Sequence, residues 1–255
     1  MEPNELKERA LEDLSVFLDS LDLKRRRVLS YWISDYVRFL RKEDEFDPKK
    51  LVRYKRGSIV KAHLGYRIGS EEGGLHYAVV LDVKNALSSN TVTIIPLTSI
   101  KGNTDLDKLH YTKINLGDEI YLTLSKKLAD ATADIKTIQD DLTAKLDKIE
   151  ADSLDPSAPD YKIHLAKRRT EIMVLREQLN IWKRKAYNTV RLEKEIGKMK
   201  RGSVALIGQI TTVSKIRIYD PLYPSDSLAS IQLSDAALDK IDQKVKELFT
   251  YEKNN

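Results

Sequence analysis

The stretch "GSEEGGLHYAVVLDV", Gly69 to Val83, runs from three glycines and two carboxylates through a single histidine, His76, into an apolar segment. Glycine permits the positive φ angles that tight turns need. The apolar segment after it reads as a strand. A histidine at such a joint is more often structural than chemical, so its role has to be read from its surroundings.

From Leu51 onward the sequence has a period of two. "GSIVKAHL", "LHYAVVLDV", "NTVTIIPLT" and "YTKINL" are short apolar runs bounded by Gly, Ser and Asn, which predicts consecutive strands of a small barrel or curled sheet. The pattern stops there and resumes at "GSVALIGQITTVSKIRI", Gly202 to Ile218. A last amphipathic helix follows around "LSDAALDKIDQKVKELF".

The remainder has helical period. Leu6, Ala10, Leu14, Phe17, Leu18 and Leu21, then Val28, Trp32, Tyr36 and Phe39, recur at three- and four-residue steps until Asp47 and Pro48 end the pattern. Between the two β portions, Leu124, Leu128, Ala131, Ile135, Ile138 and Leu142 keep a heptad-like spacing. After "DSLDPSAPD" a second series runs through Ile172, Leu175, Leu179, Trp182 and Ala186, which predicts an antiparallel coiled-coil hairpin. Its arms differ in charge: residues 160–200 hold twelve Lys or Arg against five Asp or Glu, and residues 126–152 hold five against seven. The arms therefore attract each other, and the second keeps a basic surplus. Such a surplus more often solubilises a helix than binds nucleic acid. The same holds for Lys24 to Arg27. The predicted units are 1–48, a helical extension; 49–121 with 201–255, the β domain; and 122–200, the hairpin.

Composition narrows the chemistry. No cysteine is present, which excludes disulfides, thiolate metal sites and cysteine nucleophiles and fits a reducing compartment. With no apolar signal segment and no long apolar run, the expectation is a cytoplasmic protein with no membrane partner. The net charge of +5 in 255 residues is only a weak pointer to polyanionic partners. The four histidines, His63, His76, His110 and His164, lack metal-ligand spacing, and phosphate-loop, nucleophile-elbow and dinucleotide motifs are missing. Neither a metal nor a cofactor is expected.

The block "YKRGSIVKAHLGYRIGSEEGGLHYAVVLD", then "NTVTIIPLTS", then "GSVALIGQITTVSKIRI" and the closing helix, resembles the MazF/PemK family of toxin endoribonucleases. The resemblance implies an α+β chain: an SH3-like small β-barrel of MazF/CcdB type with a C-terminal helix, to which the hairpin and N-terminal helices are additions. It further implies a homodimer formed through the barrel, a cognate antitoxin, and metal-independent cleavage of single-stranded RNA. In that reaction the ribose 2′-hydroxyl attacks the adjacent phosphorus, leaving a 2′,3′-cyclic phosphate and a 5′-hydroxyl. By position in the motifs, His76 and Thr98 are the implied catalytic residues. Arg56, Gly69, Ser70, Glu71, Gly73, Gly74, Gln209 and Lys215 are the implied substrate-binding ones. His76 stands where many members have arginine. Imidazole, with an ordinary pKa near ~6.5, transfers protons at neutral pH as arginine does not. Two rival readings are a barrel that binds RNA or protein without cutting efficiently, and a CcdB-like inhibitor directed at gyrase.

Overall fold

The computed structural model describes residues 2–102 and 105–251. In chain order these form helices α1 (Pro3–Ser20) and α2 (Leu23–Lys42), and strands β1 (Ile59–His63), β2 (Leu75–Val80), β3 (Thr91–Ser99) and β4 (Lys113–Gly117). Next come the long helices α3 (Glu119–Ala151) and α4 (Tyr161–Lys198), strands β5 (Ser203–Leu206), β6 (Thr211–Ser214) and β7 (Ile218–Asp220), and helix α5 (Asp235–Phe249). The far β block is thus three short strands separated by 3-10 turns at Ile207–Gln209 and Lys215–Arg217, where the sequence reads as one run.

All strand pairs are antiparallel. The sheet order is β4-β5-β3-β2-β1-β7, with β6 also paired to β3. No ladder joins the edge strands β4 and β7 among the described residues, so the sheet is open and the expected closed barrel is corrected to a seven-stranded antiparallel sheet. Its strands are short, and the β1–β7 and β4–β5 pairs each contain a register shift.

Both faces of the sheet are covered. On one, Ile59, Val79, Ile95, Leu97 and Ala205 pack with Ala237 and Ile241 of α5. The same cluster contains Ile120 and Leu124 from the first turns of α3 and Leu192 and Ile196 from the last turns of α4. On the other face Val60, Ala62, Ala78, Val80, Val92 and Ile94 pack with Tyr54, Val213 and Ile218. The continuous apolar character of β2 and β3 follows from this double burial.

The hairpin is rooted by polar contacts as well. Lys127 donates to the carbonyls of Asp226, Ser227 and Ala229 at 3.2, 2.9 and 2.8 Å, and burial lowers its pKa. Arg191 meets Asp226 at 3.3 Å. Glu195, 9% exposed, accepts hydrogen bonds from Lys61 of β1 and Tyr77 of β2. Burial alone would raise the Glu195 pKa, but those two bonds and the Lys61 charge hold it below the usual carboxylate value. Farther out the arms run antiparallel, with Lys185 bonded to Asp134 at 3.1 Å and Lys145 to Gln178 at 3.2 Å.

The N-terminal helices meet β1 at its last residue, His63. Asp22 caps α2 by accepting from the Arg25 amide. The ring of Trp32 stacks on His63 at 4.8 Å, and Phe39 and Tyr219 close around the same imidazole. Burial lowers the His63 pKa against the pull of Asp35. No residue of α1 is buried.

Two outcomes follow from this packing. Replacing residues 132–186 with a short Gly/Ser linker is expected to leave a folded sheet domain, because closure entropy grows only logarithmically with loop length. A longer cut through 125–198 removes Leu192, Glu195 and Ile196 and is expected to prevent folding, by circular dichroism and sedimentation. Survival of both deletions alike would contradict the rooted hairpin.

Asp220, 8% exposed, has its pKa pushed up to about 6, chiefly by burial, with Asp226 and Glu195 adding and the Leu228 amide and Arg191 opposing. The folded chain therefore holds a proton that the unfolded chain has released between about pH 4 and 6, and stability falls as pH rises through that window. Asp220→Asn keeps an acceptor for the Leu228 amide. It is expected to raise the melting temperature at pH 7.5 and to flatten the dependence between pH 4 and 6, by up to roughly 2–3 kcal/mol. A lowered midpoint at pH 7.5 is the contrary result.

Candidate functional site

The site starts at a change of partner along β3. Ala78, Val79 and Val80 of β2 pair with Pro96, Ile95 and Ile94, and the ladder ends at Pro96. On its other edge β3 pairs first with β6 through Thr91–Ile94 and then with β5 through Leu97–Ser99. Carried two residues further, the β2–β3 register sets His76 opposite Thr98. There the backbone bond is replaced by a side chain: His76 Nδ1 lies 3.2 Å from the Leu97 carbonyl oxygen. A carbonyl only accepts, so Nδ1 carries hydrogen and donates.

The other ring nitrogen faces the loop. His76 Nε2 is 3.1 Å from the Glu72 carboxylate, both side chains about a quarter exposed. Both ring nitrogens therefore point at acceptors. Both contacts are hydrogen bonds when the ring carries two N–H groups, the imidazolium form.

The loop between β1 and β2 is built on its glycines. Leu64 N–H donates to the Gly74 carbonyl and Gly74 N–H to the Gly65 carbonyl, each at 2.7 Å. Gly74 has φ +88, and a Cβ on Gly73 would lie 2.9 Å from the Gly65 carbonyl oxygen, so side chains are excluded at both positions. The tip is clasped by Gln209 in the turn after β5. Its Oε1 accepts from the Glu72 amide and its Nε2 donates to the Ser70 carbonyl, both at 3.3 Å. Arg67 adds a bond to the Leu64 carbonyl at 2.9 Å and lies 3.8 Å from Glu71.

The residues expected from sequence fall into two groups. Gly69, Ser70, Glu71, Gly73, Gly74, His76 and Gln209 are gathered around one loop, and Thr98 follows Leu97, whose carbonyl His76 meets. Arg56 and Lys215 lie elsewhere. Arg56 is bonded to Asp242 of α5 and to the Leu81 carbonyl, tying the entry to β1 onto the final helix. Lys215 is 1% exposed, its ammonium 2.9 Å from the Ala86 carbonyl and 5.8 Å from the Tyr54 ring centre. Burial lowers its pKa, and no surface for a ligand remains on it.

Glu72 is the site residue that the sequence reading passed over in favour of Glu71. The only signal was its place four residues before His76, a spacing that means contact in a helix but not in a loop. Among the described residues no group of three or more His, Asp or Glu converges as metal ligands would, and no helix is long and apolar enough to cross a membrane.

Comparison with known proteins gives one family. No curated protein sequence matches the chain. The profile that matches takes in β1 to β4, the whole loop with His76, Thr98 and all of α3, about two-fifths of the chain, and leaves the Gly202–Ile218 block and Gln209 outside it. Residues 55–155 match the model of the PemK-like, MazF-like toxin family of type II toxin-antitoxin systems.

Proposed function

We propose that the protein is the toxin of a toxin-antitoxin pair and acts as a metal-independent endoribonuclease on single-stranded RNA. The observation that carries this reading is the His76–Glu72 pair, held between the Gly-rich loop and the open end of the β2–β3 ladder with Thr98 opposite in register. Transesterification at phosphorus needs an acceptor near the 2′-hydroxyl, a donor near the leaving 5′-oxygen and donors to the crowded phosphorane. On this reading Glu72 takes the 2′-hydroxyl proton as the 2′-oxygen bonds to phosphorus. The His76 Nε2 proton passes to the 5′-oxygen as its bond to phosphorus breaks. The Thr98 hydroxyl donates to a non-bridging oxygen. A doubly protonated imidazole supplies the positive charge that arginine brings at this position in many family members. It can also give up a proton.

The unit organisation proposed with this function is 1–48, 49–121 with 201–255, and 122–200. The sheet domain pairs as a homodimer, a cognate antitoxin covers the site, and the protein works in the cytoplasm. These points are supported by the family likeness. A second reading, a module on the same sheet that binds RNA without cutting it, is favoured by one observation: the Leu97 carbonyl uses His76 to close a strand end, a purely structural task.

Two experiments test the proposal. Purified protein is expected to cut single-stranded RNA in excess EDTA and to leave 2′,3′-cyclic phosphate and 5′-hydroxyl ends, read by end-group analysis. Products with 5′-phosphates, or cleavage only on adding Mg²⁺ or Mn²⁺, contradict it. In the second, His76→Ala and Glu72→Gln each lower the cleavage rate about 10²- to 10⁴-fold, the range of a lost acid or base. Thr98→Ala has a smaller effect. RNA affinity of His76→Ala stays within about tenfold, or ~1.4 kcal/mol, of the parent. Near-parental cleavage by His76→Ala, or a parent protein that binds RNA and never cuts it, decides for the binding module.

A further inference from the structure

The outer face of α4 has a charge pattern that neither the sheet nor the pairing of the two arms requires. Lys162, Arg169, Arg176, Lys183 and Lys194 stand on it in steps of seven, seven, seven and eleven residues. Seven residues are close to two turns and eleven to three, so the five fall in one row, about 10 Å apart through Lys183 and ~48 Å from end to end. All five are exposed. The positions between them at four- and three-residue steps are Ala166, Met173, Asn180, Tyr187 and Val190. The line is therefore free of acids along its length.

A basic face that serves only solubility is laced with carboxylates at i±3 and i±4. None of these five cations has Asp or Glu three or four residues away on the helix. Among the described residues none of them takes part in an ion pair. Several cations elsewhere on α4 are engaged: Lys185 with Asp134, Arg191 with Asp226, and Arg168 with the carbonyls of Ile149 and Asp152. The row also presents Met173 and Tyr187 to solvent, 69% and 65% exposed. Cations alternating with a flat ring and a soft apolar chain suit phosphates and the unstacked bases of a single strand. The inner end of the row lies toward the C-terminus of α4, where the chain returns to the sheet. Lys200, just past α4, borders one small cavity with Thr98, Ser99 and Ser203.

We propose that this row on α4 binds the backbone of single-stranded RNA and guides it to the end of β3. The choice of RNA as substrate rests on the function proposed above; the row itself does not. Evenly repeated cations without intervening acids match a polymer of uniform charge better than the mixed surface of an acidic protein.

The test uses the full chain with Lys162, Arg169, Arg176 and Lys183 all changed to Gln, which preserves helix propensity. The probes are 2′-O-methyl oligoribonucleotides, which cannot cyclise, of about 20 and about 6 nucleotides. The expected result is a roughly 10- to 500-fold loss of affinity for the long probe near ~0.1 M salt. The slope of log affinity against log salt falls by about 3, since each single-strand phosphate contact contributes about 0.7. Binding of the short probe is unchanged. A second variant, Ala166→Glu with Asn180→Glu, leaves every cation in place but sets carboxylates into the row, and weakens the long probe in the same direction.

Unchanged affinity and slope for the long probe in both variants overturn the proposal and make the row a solvated face. Loss of binding to poly-glutamate with RNA binding intact overturns it in favour of an acidic protein partner. Because the probes are not cleaved, the readout is independent of catalysis. A parent protein that never cuts RNA but loses the long probe on substitution keeps the row and abandons the nuclease; one that cuts RNA and binds the long probe unchanged does the reverse.

Discussion

The backbone of β3 is the constraint on which the rest of the structure depends. Its nine residues are buried through the middle, so their amides and carbonyls must be paired on both edges. β2 serves one edge as far as Pro96, and β6 and then β5 serve the other. Where β2 leaves, the Leu97 carbonyl is left to a side chain, and His76 is the side chain within reach. The position of the histidine is thus fixed by a hydrogen-bond requirement before any chemistry is considered. The same requirement leaves its other nitrogen facing Glu72 and the loop.

A second constraint is the buried carboxylate of Glu195. An unpaired charge at that depth is far more costly than a paired one. Lys61 and Tyr77, on neighbouring strands, satisfy it. This binds α4 to the sheet on the face opposite the His76 parity, just as Lys127 binds α3 to the loop before α5. The long arms are consequently an extension of the core at their roots and solvent-covered beyond them. That arrangement lets a row of cations on the outer face be set by function without cost to packing.

The residues expected from sequence come together where a local motif demands a local geometry and separate where a contact joins distant segments. The glycines at 69, 73 and 74 were legible because only glycine tolerates their backbone angles and close approach. Gln209 was placed by resemblance, and only folding shows it clasping Ser70 and Glu72, more than a hundred residues away. Lys215 was likewise placed in the groove by resemblance alone. The 3-10 turn that carries it aims its stem into the second core instead, against Tyr54. Arg56 was drawn off by Asp242, a partner with no mark in the sequence pattern.

By itself the sequence determined the helix–sheet–hairpin–sheet–helix order, the two amphipathic arms and the glycine loop, because period, turn chemistry and charge are properties of neighbouring residues; His76 and Thr98 became candidates only through the motif resemblance. Tertiary structure alone decided that the sheet stays open, that Glu72 faces the imidazole, that Arg56 and Lys215 are structural, and that the hairpin begins inside the core. Each of those depends on which buried donor meets which acceptor across the fold, and residues far apart in the chain carry no local pattern that records such a meeting.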